Sequence, residues 1–201
     1  MAGFKMNSPV GGGVRLTDDD TTPIGNLVQP GSGSISVVEY QFGCFVRSTF
    51  TLIAAEITAT DGAGSGSHGG YKFYDMPEGA ISFLGSRQNY TAFSEGALLT
   101  GEAGDAVFEI GVGTTIIAAA ADGTLGNGAG ENVGQAVAVT LSGGTGTGTA
   151  VNGTETTAIN GTTTAVDLNL NWSGTAATID ATSTVTVTGT ITVLWAHMGD
   201  D

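Results

Sequence analysis

Few residues in this sequence have the types and spacing that chemistry requires. The chain of 201 residues contains two His and one Cys, and Cys44, His68 and His197 lie far apart along it. A Cys–His nucleophile pair would therefore depend on the fold to bring these side chains together. Cys44 lies between aromatic residues in QFGCFVRS, a context that predicts a small buried hydrophobic residue rather than a nucleophile.

The two histidines have no ligand or partner pattern beside them. His68 ends the stretch GSGSH within Gly64–Gly69, which matches the dinucleotide-binding pattern G-x-G-x-x-G. That pattern must open a helix, but YKFYDMPEG follows it and is not a helix start. We therefore predict a flexible turn with His68 as a solvent-exposed loop residue. His197 follows Trp195 near the C-terminus, and we predict a packing or surface role for it.

Clustered oxygen ligands leave a calcium hypothesis open. Asp18, Asp19 and Asp20 are consecutive, and Asp122, Asn127 and Glu131 share one Gly-rich stretch. Such loops suit Ca²⁺, although neither has the spacing of an EF-hand. Zinc-ligand spacings and a G-x-S-x-G elbow do not occur in the sequence. We therefore predict no catalytic residues, no cofactor site, no assigned metal site and a protein that is not an enzyme.

The sequence pattern predicts β-strands for the segments that would position any site. Thr occupies every even position from 182 to 192, opposite Val, Gly, Ile and Trp, and this period of two predicts a strand with one buried face. Gly189 in its middle predicts a bulge or a bend, where the strand could cross between sheets. The run after Cys44 combines helix-like spacing of apolar residues with many Thr, and we predict a strand there.

Shorter alternating runs and Gly-rich turns fill the rest of the chain. Further strands are predicted at Ser34–Phe42, Tyr71–Tyr74, Ala80–Leu84, Ala106–Val112, Gln135–Leu141 and Val166–Trp172. Many short strands with such turns predict an all-β protein, a β-sandwich of jelly-roll type with long Gly/Thr-rich loops. Residues 142–165 are predicted to form a long hairpin or a mobile loop. Residues 109–167 contain no aromatic side chain, so we expect their weak core to be completed by neighbours, either other subunits or a surface on which the region lies.

Composition and charge restrict the partners. The net charge is −14, and all five Lys and Arg lie within the first 87 residues, which argues against nucleic-acid binding and against attachment to an anionic membrane. Glycine accounts for 34 residues, and we place most of them in turns. The sequence shows no export signal and no membrane span, so we expect synthesis in a cytoplasm.

Two segments carry a resemblance to a known family. YKFYDMPEGAISFLGS (71–86), and LNLNW (168–172) followed by VTVTGTITVLWAHMGDD (185–201), resemble motifs in structural proteins of tailed bacteriophages, particularly phages of marine bacteria. The resemblance implies a virion component on the capsid exterior, a decoration or cement protein bound to the major capsid protein. It also implies a homotrimer.

We accordingly predict an extended N-terminal arm at 1–30 and a single β-sandwich domain at 31–201. Two alternatives stay open: a tail tube, fibre or adaptor protein, and a carbohydrate-binding adhesive β-sandwich. The adhesive would need exposed aromatic side chains, for which Trp172, Trp195 and Tyr90 are the candidates. Both Trp residues alternate in phase with core faces, which favours core packing for them instead.

Overall fold

The described residues form eleven β-strands. The structure, a computed structural model, describes residues 24–61, 67–94, 107–117, 125, 130–140, 145–147, 158–161, 163–174 and 182–199. The strands are β1 (Asn26–Leu27), β2 (Ser34–Phe42), β3 (Phe45–Asp61), β4 (Ser67–Asp75), β5 (Ala80–Ser94), β6 (Val107–Gly113), β7 (Gly134–Thr140), β8 (Thr145–Thr147), β9 (Ala158–Asn160), β10 (Asp167–Gly174) and β11 (Ser183–His197). No helix in the described ranges has the length and hydropathy needed to cross a membrane.

The strands form two antiparallel sheets. In sheet A, β2, β3, β11 and β5 lie side by side, and β8 and β9 each pair with β5. In sheet B, β4, β10, β6 and β7 lie side by side, and β1 pairs with β4. The chain is therefore all-β, and its two sheets make a sandwich, as the sequence predicts. The strand connections are compatible with a jelly roll.

The core lies between the sheets and is filled by the alternating inward residues of the longest strands. The Thr-rich strand of the prediction is β11, and its Val185, Val187, Ile191, Val193 and Trp195 are all buried. From β3, Phe50 packs edge-on against Phe73 and Tyr74 of β4, with ring centroids 4.9 and 5.0 Å away. The alternation of apolar and Thr side chains therefore predicts the buried face of β11 correctly.

One irregularity explains the mixed periodicity of β3. Ala54 has a φ of 48°, and the pairing with β11 shifts at this point, between Val187 and Gly189. Because the bulge shifts the alternation by one residue, Phe50 and Leu52 face the core before it, and Ala55 and Ile57 face the core after it. The strand prediction for this run is confirmed, and the helix-like spacing is the signature of the bulge.

The strand that joins the two sheets is not the one that was expected. Gly189 does lie at an irregularity, with a φ of 156°, but β11 pairs with β3 and β5 of sheet A along its whole length. It is β3 whose last residues, Thr60 and Asp61, pair with His68 and Ser67 of β4 in sheet B. The crossing therefore occurs beyond Ala54 and not at Gly189.

The N-terminal and 142–165 segments are described in part. Residues 1–23 lie outside the described residues, while β1 and Gln29 contact the sandwich. Within 142–165, β8 and β9 both pair with β5 and not with each other. The described residues therefore contain no hairpin between these two strands. The boundary of an N-terminal arm at residue 30 stays a prediction.

Candidate interaction surface

Two large exposed apolar side chains, Phe42 and Phe45, lie together at the tip of the β2–β3 hairpin. Gly43 and Cys44 form a two-residue turn between the paired residues Phe42 and Phe45. Gly43 has a φ of 61°, a conformation that glycine adopts at little cost in such turns. The tight turn holds the two phenylalanines opposite each other, and they are 67% and 48% exposed.

Three more residues extend this patch across sheet A. Tyr40 pairs with Arg47, and Arg47 pairs with Leu194 on the next strand. The Arg47 guanidinium carbon lies 4.8 Å from the centroid of the Tyr40 ring, within the range of a cation–π contact. Leu194 is 42% exposed. We call Tyr40, Phe42, Phe45, Arg47 and Leu194 the hairpin surface; together with Gln41 and Val46 they line a shallow concavity.

Directly beneath the hairpin surface lies a buried polar network. Glu39, on the inner face of β2, accepts hydrogen bonds from the Ser48 hydroxyl at 2.5 Å, the Tyr74 hydroxyl at 2.9 Å and the Ile24 backbone N–H at 2.5 Å. Ser48 in turn accepts a bond from the Trp195 indole at 2.9 Å. The network thereby joins β2, β3 and β11 of sheet A to β4 of sheet B.

The hydrogen bonds of this network compensate for the cost of burying the Glu39 carboxylate. Glu39 is buried, and a buried carboxylate is tolerated only where hydrogen bonds replace its hydration. Burial raises the pKa of the Tyr74 phenol far above its ordinary value, and the charge of Glu39 raises it further. Tyr74 therefore stays protonated and donates to Glu39, while its oxygen accepts the Gly25 N–H at 2.6 Å. These bonds fix the backbone that carries the hairpin surface.

The outer face of sheet B presents the opposite arrangement. Asn169, Asn171 and Ser173 alternate with the core residues of β10, yet all three are buried. The Asn171 amide donates to the carbonyls of Thr115 at 2.9 Å and Gly130 at 2.7 Å, and its oxygen accepts the Ile117 N–H at 3.1 Å. Residues 114–117 and 130–133 thus cover this face of the sheet.

A charged cluster lies at the end of β4 and β10. Asp75 and Asp167 are cross-strand partners, and the Lys72 ammonium lies 2.6 Å from Asp75 and 3.7 Å from Asp167. The hydrogen bond from Lys72 lowers the pKa of Asp75, whereas burial, together with a hydrogen bond to Asp75, raises the pKa of Asp167. Because the side chains are about a third exposed, the cluster contributes little to stability.

The aromatic candidates for a sugar-binding platform lie in the core. Trp172 and Trp195 are fully buried, and Tyr90 is 2% exposed. The expectation of core packing for both Trp residues is confirmed. The exposed aromatic residues of the described ranges belong instead to the hairpin surface.

Two predictions for reactive side chains were wrong. His68 lies in β4 and is half-buried between β3 and β10, because the Gly-rich stretch ends in a strand and not in a turn at this residue. Cys44 is exposed because the tight turn directs it outward, away from the alternation that buries Val46 and Ser48. His197 ends β11, and its Nε2 lies 2.6 Å from the Glu78 carbonyl oxygen, in a packing role as predicted.

The calcium hypothesis falls largely on residues that are not described. Asp18–Asp20, Asp122 and Asn127 lie outside the described residues. Glu131 is described, and its carboxylate accepts the Ala136 N–H at 2.7 Å. Burial raises the pKa of Glu131. Within the described ranges, no group of three or more His, Cys, Asp or Glu side chains is placed to share a metal ion.

The hairpin surface was missed by sequence reasoning, although a signal for it exists. In QFGCFVRS two phenylalanines flank Gly-Cys, and a Gly-X pair between strands favours a two-residue turn. The turn aligns Phe42 with Phe45, and counting back from it places Tyr40 beside Arg47. Leu194 comes from a distant part of the chain, so no local sequence pattern could predict that it belongs to the hairpin surface.

Comparison with known proteins leaves the chain without an assigned family. No protein-family model matches the sequence, and the search of curated proteins found no similar one.

Proposed function

We propose that the protein is a non-enzymatic virion structural protein of a tailed bacteriophage, a decoration protein that binds the outer surface of the major capsid shell. The observation that carries the proposal is the hairpin surface, with Phe42 and Phe45 67% and 48% exposed at one end of the sandwich. Large apolar residues exposed together mark an interaction site. The resemblance of 71–86, 168–172 and 185–201 to phage structural proteins supports the choice of partner.

The energetics suit attachment to a repetitive shell. Full burial of an exposed phenylalanine side chain contributes about 1.5–3 kcal/mol, and a partner could still bury the exposed 67% of Phe42 and 48% of Phe45. Arg and aromatic residues are the usual anchors of protein interfaces. One hairpin surface gives modest affinity, and a homotrimer would multiply it because its copies bind together. The tight turn and the Glu39 network fix the backbone that carries the anchors, so little backbone entropy is lost on binding.

The copy number in purified particles tests this function. Quantitative mass spectrometry of virions that encode the chain should find it in fixed proportion to the major capsid protein, and cryo-electron microscopy should place it on the shell exterior. A few copies located in the tail would overturn the decoration role and establish a tail component instead. Binding to a glycan array would favour the adhesive alternative.

Variants of the hairpin surface test the attachment. Replacing Phe42 and Phe45 by Ser should lower particle occupancy at least tenfold, since a loss of about 1.4 kcal/mol is tenfold. Ile53→Ser is the matched control, because Ile53 is 58% exposed on the same strand at about 26 Å from Phe45 for an extended chain. Equal occupancy of both variants would contradict attachment through the hairpin surface. Deletion of residues 1–16 tests the predicted arm separately: attachment should be lost while the domain stays folded.

A further inference from the structure

The hairpin surface continues across sheet A onto β5. Leu194 of β11 pairs with Gly85. Next to Gly85, Leu84 is 45% exposed, whereas Phe83 faces the core. The apolar end of the outer face therefore spans four strands, from Phe42 on β2 to Leu84 on β5. Contiguous apolar side chains of this kind mark an interaction site, while single exposed ones do not.

Two arginines lie on this same face. Arg47 is in β3, and Arg87 is exposed on β5. Between them, Thr192 of β11 pairs with Thr49 on one side and with Arg87 on the other. This register places the Cα atoms of the two arginines about 12 Å apart. Neither guanidinium forms an ion pair with a carboxylate of the described residues, so both are available to carboxylates of another molecule.

The acids of the described residues lie away from the two arginines. They are Glu39, which is buried; Glu56 and Asp61, beyond the Ala54 bulge of β3; Glu78, before β5; and Asp75, Glu109, Glu131 and Asp167, on sheet B and the residues that cover it. In a chain with a net charge of −14, the described outer face of sheet A is thus locally cationic. This separation of charge favours contact of the face with a negatively charged partner.

A protein surface fits this face better than a membrane or a nucleic acid. An anionic membrane and a nucleic acid carry negative charge over their whole surface, so they would repel a chain with a net charge of −14. A protein can place two carboxylates about 12 Å apart among apolar side chains. Apolar contacts with charged groups at their margin are also the usual composition of a protein interface.

A second copy of the chain does not supply these carboxylates. Two sheet A faces in contact would bring arginine against arginine. On sheet B, Asp75 and Asp167 lie beside Lys72, and the Glu109 carboxylate accepts the Leu125 N–H at 3.2 Å. These carboxylates are already engaged, and the net charge of −14 on each copy opposes self-association. A different protein therefore matches the face better.

We propose that the outer face of sheet A binds an acidic and partly apolar patch on a different protein, with carboxylates on Arg47 and Arg87 and apolar side chains against Phe42, Phe45 and Leu194. The identity of the partner rests on the proposed function, which makes it a shell subunit. The apolar contacts supply most of the affinity, and the two arginines select an acidic partner and fix its orientation.

Attachment to particles at two salt concentrations tests the charge contacts. The probe is a particle assembled without the chain, to which the purified full-length chain is added in about 50 mM or about 500 mM NaCl. Salt should weaken attachment, because exposed ion pairs are screened. At low salt, Arg47→Gln and Arg87→Gln should each weaken attachment about threefold, and each should reduce its dependence on salt.

Thr115→Glu is the matched control. It makes the same change in net charge as each arginine variant, and Thr115 is exposed among the residues that cover sheet B. It should leave attachment and its salt dependence unchanged. If Thr115→Glu weakens attachment as much as the arginine variants do, or if the arginine variants leave attachment unchanged, the proposal is overturned.

Variants that preserve the charge identify the partner's groups. Arg47→Lys and Arg87→Lys each supply an amine that a carbodiimide joins to a contacting carboxylate as an amide, with no spacer. On particles, mass spectrometry should find both lysines joined to Asp or Glu of another protein. Links to acids of the same chain or of a second copy would overturn the proposal, as would the absence of links on particles that carry the chain.

A chromatography resin tests the face without virions. The probe is a resin whose ligands each carry a phenyl ring and a carboxylate. At low salt, the full-length chain should be retained more strongly than Arg47→Gln, Arg87→Gln or Phe42→Ser, and as strongly as Thr115→Glu. Equal retention of all five proteins would overturn the proposal. Binding to phosphatidylglycerol vesicles or to double-stranded DNA that either arginine variant abolishes would also overturn it.

Failure of the face and failure of the decoration function give different results. Selective retention on the resin by a chain that is missing from virions would refute the decoration function alone. Attachment to particles with no difference between the arginine variants and Thr115→Glu would refute the face proposal alone.

Discussion

The outer faces of the two sheets reverse the usual relation between polarity and burial. On sheet B, the polar side chains of Asn169, Asn171 and Ser173 are buried, whereas on sheet A, Phe42 and Phe45 are exposed. The two faces differ because other segments of the chain cover the outer face of sheet B. Sheet B is covered by residues 114–117 and 130–133, which Asn171 holds through three hydrogen bonds, and the hairpin surface has no such cover among the described residues.

This contrast shows what each face requires. A loop has many unpaired backbone groups, so polar side chains on the sheet beneath it are useful as hydrogen-bond partners. An apolar face such as the hairpin surface offers a loop no such partners and is better suited to an apolar surface from another chain. The four predictions below test this difference, from the largest expected effect to the smallest.

Breaking the attachment of the loop on sheet B should have the largest effect. Asn171→Ala removes two donors and one acceptor from buried backbone groups, and we expect a loss of about 3 kcal/mol in the free energy of unfolding. Urea denaturation measures it. Asn89→Ala, on an exposed position of β5, should change stability by less than about 0.5 kcal/mol. Similar losses for both would mean that the loop is not held by Asn171.

Disturbing the network under the hairpin surface should have the next largest effect. Glu39→Gln replaces one acceptor oxygen by a donor that faces Ser48, Tyr74 or the Ile24 N–H, so we expect a loss of about 2 kcal/mol. Thermal or urea unfolding checks it, with the exposed Glu78→Gln as control. An unchanged midpoint would show that the network does not support sheet A.

Alkaline pH should weaken the sandwich through its buried tyrosines. Burial raises the folded-state pKa of Tyr74 and Tyr90 above the ordinary value of 10.0. Their contribution to stability is therefore complete below about pH 10 and is lost as the pH rises towards the folded pKa, by up to about 1.4 kcal/mol per pH unit for each residue. Urea midpoints measured between about pH 9 and about pH 11 should fall, and Tyr74→Phe should reduce the slope. A slope identical to that of the unmodified chain would refute the assignment to Tyr74.

Changing the exposed face itself should have the smallest effect on stability. Phe42→Ser should alter the free energy of unfolding by less than about 0.5 kcal/mol, because Phe42 is 67% exposed. The same variant should lower the binding of a fluorescent hydrophobic dye. A loss of stability as large as that of Asn171→Ala would mean that Phe42 is part of the core and not of a binding surface.

Many of the strands could be predicted because the alternation of apolar and polar residues is a local property of the sequence. Ser34–Phe42 was predicted with its observed bounds, and the Thr/Val run became β11. The bulge at Ala54 could not be placed, since it depends on Thr188 of β11, whose hydroxyl accepts the Ala54 N–H at 3.0 Å. His68 was misjudged for the same reason, because its partial burial depends on pairing with β3 and β10. Cys44 was misjudged although its neighbours in sequence, Gly43 and the two flanking phenylalanines, favour the tight turn that exposes it.

The sequence by itself determined the all-β class, most of the strands and the buried faces of β10 and β11, because period-two alternation needs only neighbouring residues. Tertiary structure decided the rest. It placed Leu194 beside Arg47 and Tyr40, and it brought Ser48 and Tyr74 to Glu39 and Trp195 to Ser48. These arrangements arise from the order and register of strands that are distant in sequence. Long-range pairing, which no local pattern encodes, therefore determines which side chains come together in the hairpin surface and in the network beneath it.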